Sequence, residues 1–409
     1  MAEYQHYLTA KEAAAALQIS RATLYAYVSR GLIRSEPVAG QARRRRYRAD
    51  DVHRLRERKV QRNNPSLAAE RALHFGAPVL ASSLTLIDGK RFYYRGEDAL
   101  RLAVTRSVEE VASFIWSGEW SPIALQGTQT VVREGNGQTA GLSMLERFQR
   151  ELPLVAASDL AAYDLQPSTV RLTGTRILAL LTVIAAGVPL QHDLVSTLLH
   201  GWRIDLPGTE ELLSAALILC ADHELNVSSF TARCVASAGS TPYQVVQAGL
   251  AALQGTKHGG HTARVAALLE EVRKPARARA TLGERLRRGE SIPGFGHVLY
   301  PHGDPRARLL LQLMTEIVPE SSSLLLAQAV ARETEQLVGH LPTIDFALAT
   351  LARLFGRPTE GGLTIFALGR TVGWIGHALE QYRLDKIIRP RARYDGPLPG
   401  GLDENAVRP

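Results

Sequence analysis

The chain has 409 residues, 45% of them apolar and 22% charged, with two cysteines, Cys220 and Cys234. Those proportions describe a packing-competent globular protein of two or three domains, and they exclude a mainly disordered chain, a disulfide scaffold and a cysteine-rich metal protein. The formal charge is +8, and all of the excess lies in residues 1–62, where 14 Lys/Arg face six acids; such asymmetry points to an N-terminal module with a polyanionic partner, attached to a neutral body.

In chain order, the first residues carry Glu3 and Glu12 without a continuous apolar run, so no secretory signal is expected. Thr9-Ala-Lys-Glu12 is a capping box ahead of an alanine-rich helix. Ser20 caps a second short helix, Arg21 to Arg30, which Gly31 closes in a left-handed conformation. Gly40 to Arg48 reads as one arm of a hairpin wing, and Asp50-Asp51-Val52 opens a third helix with acids at its positive end. The order "LTAKEAAAALQISRATLYAYVSRGLI" then "RRRRYRADDVHRL" resembles a winged helix-turn-helix of the MerR/excisionase type. The resemblance implies double-stranded DNA as partner, with Arg21, Thr23, Tyr25 and Tyr27 presented to the major groove and Arg43, Arg44, Arg45 and Arg46 gripping phosphates or a minor groove. The alternative is a solvated basic face.

Asn63-Asn64-Pro65-Ser66 is turn-rich and marks the joint to the body. Leu84 to Tyr94 holds an Asp88-Gly89 turn between alternating arms, a hairpin signal. Ser107 to Glu110 is another capping box, followed by Val111, Phe114 and Ile115 on one face and Gly118 at the end. Arg171–Ala186, Glu210–Ser237, Pro242–Leu253 and Ser321–Val338 read as long apolar helices, and residues 395–409 as a Gly/Pro-rich tail. The longest apolar stretches, such as Ile177–Leu190, fall short of the ~20 residues of a membrane span. The expected compartment is the cytosol.

Five polar islands interrupt this apolar sequence: Asp222-His223-Glu224, His258-Gly-Gly-His261, His297 with Asp304-Pro-Arg306, Thr343-Ile-Asp345, and Arg370 with Arg389-Pro-Arg391. Burying such groups costs several kcal/mol unless each is paired, so each is a satisfied core cluster or a site. Separately they have ordinary readings: a lone histidine packs or caps, and Asp345 complements a helix N-terminus. His258 and His261 lack a third ligand at fitting spacing, so no metal is expected.

Together, "ADHELN", "GTKHGGHT", "GFGH" with "DPRA", "PTIDF", "GRTVGW" and "RPR" resemble, in order, the citrate synthase family across about residues 75–396, and "IDGKRFYYRGEDALRLA" resembles its opening. The resemblance implies an all-α fold: a large domain of residues 75–259 and 356–396 and a small domain of residues 260–355. These follow a DNA-binding domain of residues 1–62 and a linker of residues 63–74, and a tail of residues 397–409 ends the chain. It implies a homodimer whose sites are completed across the interface. It also implies condensation of acetyl-CoA, or a short acyl-CoA, with oxaloacetate to give citrate and coenzyme A, the thioester being a substrate and no cofactor being bound. Asp345 is then the base, His258 the donor to the thioester carbonyl and His297 the donor to the ketone. His223, Arg306 and Arg370 bind the acceptor together with Arg389 of the neighbouring subunit. The chain departs from the family at Thr256-Lys257, at His261-Thr262, at Thr343, and at Pro301, where the family carries Lys or Arg for coenzyme A phosphates. Two alternatives stay open: a 2-methylcitrate synthase using propionyl-CoA, and a catalytically silent, metabolite-sensing transcription regulator.

Overall fold

The computed structural model describes residues 7–38, 41–49, 51–52, 55, 80–125, 141–357, 359–392, 394 and 396–397. The chain divides into two compact units, residues 1–81 and 82–409. The joint expected at residues 63–66, the linker around it and most of the expected tail lie outside the described residues.

In the first unit, Tyr7–Thr9 is β1, followed by helices α1 (Ala10–Leu17) and α2 (Arg21–Ser29) and by strands β2 (Ser35–Val38) and β3 (Gln41–Arg48). Both caps form as the sequence requires. The Thr9 hydroxyl accepts the Glu12 N–H while the Glu12 carboxylate accepts the Thr9 N–H, and Ser20 Oγ accepts the Thr23 N–H. Strand β3 pairs antiparallel with both β1 and β2, the wing the arginine run suggested. Ala13, Leu17, Leu24, Ile33, Tyr47 and Val52 form a small core beneath the two helices. Arg34 grips Asp51 through two side-chain bonds of 2.9 and 3.0 Å, and its backbone N–H adds a third.

The second unit opens with β4 (Thr85–Ile87), β5 (Phe92–Tyr94) and β6 (Glu97–Asp98), the hairpin expected around Asp88-Gly89. Asp88 closes its turn by accepting the N–H groups of Lys90 and Arg91. The rest of the described residues are mostly helical, with a few turns and, among them, two short 3-10 segments: α3 (Ala99–Thr105), α4 (Val108–Ser117), α5 (Met144–Ala156), α6 (Pro167–Ala186), α7 (Leu194–Trp202), α8 (Thr209–Cys220), α9 (Val227–Ser237), α10 (Pro242–Leu253), α11 (Gly260–Val272), α12 (Ala278–Arg287), α13 (Pro305–Ile317), α14 (Ser322–Val338), α15 (Ile344–Leu354) and α16 (Gly361–Leu384).

Helix α16 runs through the larger core, packed on α6, α8, α9, α10 and α15 and buried along most of its length. A smaller core gathers Val265, Leu269, Leu282, Phe295, Val330 and Phe346. Helix α15 serves both: Ile344, Ala347, Leu348 and Leu351 face the larger core, while Phe346 and Ala349 face the smaller one. Asp345, at the start of this helix, therefore stands at the seam between the two cores. Helix α6 is long and apolar enough to cross a membrane by length and composition, but 72% of its apolar window is buried inside the protein, as in a soluble core helix.

One helix reading is corrected. Residues 210–237 do not form one helix; α8 stops at Cys220 and α9 starts at Val227. The Tyr94 hydroxyl inserts at the break, donating to the Ile218 carbonyl at 2.8 Å and accepting the Asp222 N–H at 3.2 Å, which replaces one rung of the helical ladder. Glu224 then turns through a positive φ of 53°, and Asn226 caps the new helix by accepting the Ser229 N–H.

Candidate active site

Arg370 sits on α16 and is 1% exposed. Its Nε donates to the Cys220 carbonyl at 2.8 Å, and its guanidinium carbon lies 4.6 Å from the centre of the Phe366 ring. Among the described residues neither Nη1 nor Nη2 has a hydrogen-bond partner. A buried cation with two idle donors fits an anionic ligand, since leaving it unpaired costs several kcal/mol. Burial pulls its pKa down, and Asp222 opposes that.

Arg306 is the second buried guanidinium, at the N-terminus of α13. Asp304 holds it in a fork, Nε to Oδ1 at 3.0 Å and Nη2 to Oδ2 at 2.8 Å. Burial works against the Asp304 carboxylate, but Arg306 keeps it below the usual range. Asp304 Oδ2 also accepts the Ile344 N–H at 3.0 Å, tying this arginine to the helix that begins with Asp345.

Three rings pack beside Arg306. His223 Nε2 meets the Tyr300 hydroxyl at 2.8 Å, and the His223 and His297 rings lie 5.7 Å apart, edge to face. Burial, reinforced by Arg306 and Arg370, drives the His223 pKa well down; burial and Arg306 also lower that of His297. Both imidazoles are therefore neutral at pH 7. His297 Nδ1 accepts the Leu299 N–H at 3.1 Å, so its proton sits on Nε2, ready to donate.

His258 follows α10 in the Gly-rich turn before α11. Its Nε2 meets Ser228 Oγ at 2.9 Å, and Ser228 in turn reaches Asn226 Oδ1 at 2.9 Å. Its ring stands edge-on to Phe366, the ring under Arg370. Burial, then Arg370 and His261, bring its pKa down to about 4. Asp345 Oδ1 accepts the Thr262 hydroxyl at 2.7 Å, and burial raises its pKa above the usual carboxylate value.

The fold thus brings His223, His258, His297, Arg306, Arg370 and Asp345 into one region. Arg389 does not join them: it is exposed, on a segment tied by the Ile388 N–H to Ser237 Oγ at 3.0 Å. Tyr300, Ser228 and Thr262 were not singled out for these roles in the sequence, because partners 77, 30 and 83 residues away carry no local signal. Among the described residues no three His, Cys, Asp or Glu side chains converge as a metal-binding set. In the first unit, Arg21 and Tyr25 are exposed, whereas the Thr23 hydroxyl pairs with Ser20 Oγ and Tyr27 packs against the core. Arg45 reaches the Ser35 carbonyl, and Arg46 pairs with Glu36 while lying 4.1 Å over the Tyr7 ring. The side chains of Arg43 and Arg44 lie outside the described residues.

The citrate synthase C-terminal-domain model matches residues 73–391, and a helix-turn-helix domain model matches residues 7–60. The 2-methylcitrate synthase of Mycobacterium tuberculosis is 30% identical over 331 residues, 74% of this chain and 84% of that protein. The citrate synthase of Haloferax volcanii is 31% identical over 358 residues, 78% and 94% of the two chains. Citrate synthase 2 of Bacillus subtilis is 38% identical over 198 residues, a match spanning 47% of this chain and about half, 52%, of that relative. Among solved structures, Thermotoga maritima citrate synthase superposes with a TM-score of 0.61 at 26% identity, over 82% of this chain and 98% of its own. The Thermoplasma acidophilum enzyme, solved with carboxymethyl coenzyme A and oxaloacetate, gives 0.69 at 21% identity over 81% and 97%, a likeness of fold. With most of its length matched by one family model, the chain belongs to the citrate synthase family and carries a helix-turn-helix domain at its N-terminus.

Proposed function

We propose that the body condenses a short acyl-CoA with oxaloacetate, giving citrate from acetyl-CoA, and that the N-terminal unit binds DNA. The observation that carries the first half is Arg370, a buried guanidinium with two idle donors beside neutral His223 and His297, which suits a dicarboxylate. Arg306 binds the second carboxylate while Asp304 keeps its fork in plane. Arg389 of a second subunit completes the set, which makes the working form a homodimer. Residues 260–355 close over the rest of the body and exclude water.

In this reading Asp345 removes the α-proton through Oδ2, the oxygen that Thr262 leaves open, and burial makes it a stronger base. His258 stabilises the enol oxygen through Nδ1. For Nδ1 to carry a proton, Ser228 must turn its hydroxyl from Asn226 onto Nε2. The enol carbon adds to the ketone, and His297 Nε2 protonates the new alkoxide. Water then cleaves the thioester and the coenzyme A thiol leaves.

Relatives bearing both names, citrate synthase and 2-methylcitrate synthase, support propionyl-CoA as a second donor. One methylene changes discrimination by only about 1–3 kcal/mol. The test is oxaloacetate-dependent thiol release from acetyl-CoA and propionyl-CoA by wild type and Asp345→Asn. Wild type is expected to turn over, and the variant to lose about 10²–10⁴-fold. No turnover by wild type, with oxaloacetate still raising the melting temperature, overturns the enzyme reading in favour of a sensor.

A further inference from the structure

The oxygen of Thr262 is spent on the candidate base. Its hydroxyl has one proton, and that proton goes to Asp345 Oδ1 at 2.7 Å; Asp345 Oδ2 accepts no hydrogen bond from the described residues. Thr262 is 4% exposed and held from two sides. Its N–H donates to the Gly259 carbonyl at 3.1 Å, and its methyl lies so close to α16 that a Cβ at Gly362 would stand 2.8 Å from it. The rotamer that aims Oγ1 at the carboxylate is thus fixed by backbone on one side and by a glycine on the other. Thr262 also lies four residues after His258, within a single turn of chain, so the group facing the thioester oxygen and the group holding the base move as one piece.

We propose that Thr262 is a positioning residue for Asp345, pinning Oδ1 so that Oδ2 points at the carbon that loses its proton. The proposal rests on the reading of Asp345 as the base. A threonine does this with geometry a longer side chain lacks: one rotatable bond, a branched Cβ restricted at χ1, and a single donor. The hydrogen bond also favours the charged form of the carboxylate, against burial, which favours the neutral one. The other groups acting on Asp345 are His261 from α11, Asp304 and Arg306 at the start of α13, and the buried Cys220 thiol at the end of α8. Helix α14 meets α15 through apolar residues such as Val330 and Ala349, and on α16 Arg370 acts on His258.

The experiment compares wild type, Thr262→Val, Thr262→Ser and Asp345→Asn by kcat, KM and the pH profile of kcat/KM. Thr262→Val is expected to lower kcat about ten- to hundredfold, the worth of one hydrogen bond to a charged group, with KM for the acyl-CoA nearly unchanged. Its acid limb moves to higher pH, because a carboxylate that has lost a donor holds its proton longer. Thr262→Ser keeps the hydroxyl and restores both. If Thr262→Val fails to fold, Thr262→Ala carries the same comparison without crowding the site. A valine variant with wild-type kcat and an unmoved acid limb, or a serine variant as impaired as valine, overturns the proposal. Should Asp345→Asn itself keep its turnover, the base assignment has failed instead, and the two failures are told apart.

Discussion

His258 gives up its charge to take its place. Its folded pKa of about 4 lies below the 6.5 of an exposed imidazole, because burial, Arg370 and His261 all penalise the proton. The linkage sign follows. The unfolded chain takes up the proton first as pH falls, so this contribution to stability is complete above pH 6.5 and is lost progressively towards pH 4. His258→Gln removes the proton-binding site from both states. The difference in melting temperature between wild type and this variant is therefore expected to move against wild type between pH 6.5 and 4. Parallel curves across that range would mean that the imidazole is not held neutral. In the proposed mechanism the same neutrality serves the chemistry, since the neutral imidazole is the form that would donate from Nδ1 to the enol oxygen.

At the scale of elements, close approach of two helices sets the surroundings of Arg370. A Cβ on Gly369 would lie 2.5 Å from the Leu217 carbonyl oxygen; one on Gly373 would overlap the Ala221 carbonyl and stand 2.7 Å from Asp222 Oδ1. These glycines let α16 touch the end of α8, and that contact sets the Cys220 carbonyl at 2.8 Å from Arg370 Nε. Gly373→Ala is expected to destabilise the body by about 1–3 kcal/mol through overpacking. Gly283, inside α12 with no described atom beyond its own helix backbone within 4 Å of its missing Cβ, is the control: Gly283→Ala is expected to stabilise by about 0.5–1 kcal/mol. Denaturant melts of both variants read the two signs, and equal effects would sink the packing argument. Capping boxes at Thr9 and Ser107, the Asp88-Gly89 hairpin and the helices around Pro242 and Ser322 were legible because each is written in adjacent residues. The break after Cys220 was not. Ala-Asp-His-Glu-Leu contains no glycine or proline, and what ends the helix is a tyrosine hydroxyl arriving from 128 residues away. Asp222 is likewise claimed by distant groups, Thr85 at 2.5 Å and His377 at 3.1 Å. Chemistry-bearing types were visible as polar islands in apolar sequence; their hydrogen-bonded holders were not, since packing alone selects them.

At the scale of the whole molecule, the uneven charge is the feature a purely metabolic enzyme does not need. The body balances its charges, while the first 62 residues carry the full +8. Within the first unit, Arg46 is engaged with Glu36 and Tyr7, and Arg34 with Asp51, so part of the basic set stabilises the wing and its junction. Arg21 and Tyr25 stand exposed on α2 with no such structural task among the described contacts. If α2 enters a groove, these two side chains carry different parts of binding. Arg21 answers phosphates and contributes counterion release; Tyr25, 53% exposed, offers an aromatic edge and no charge. The full chain is expected to bind duplex DNA with an affinity that falls steeply with salt. Arg21→Ala should reduce the slope of log K against log salt by about 0.9, one phosphate contact, whereas Tyr25→Ala should weaken binding without changing the slope. Fluorescence anisotropy of labelled duplex across a salt series measures both. Loss of slope in both variants would reassign Tyr25 to the backbone, and binding that ignores salt, or no binding at low salt, would remove DNA as the partner of the basic block.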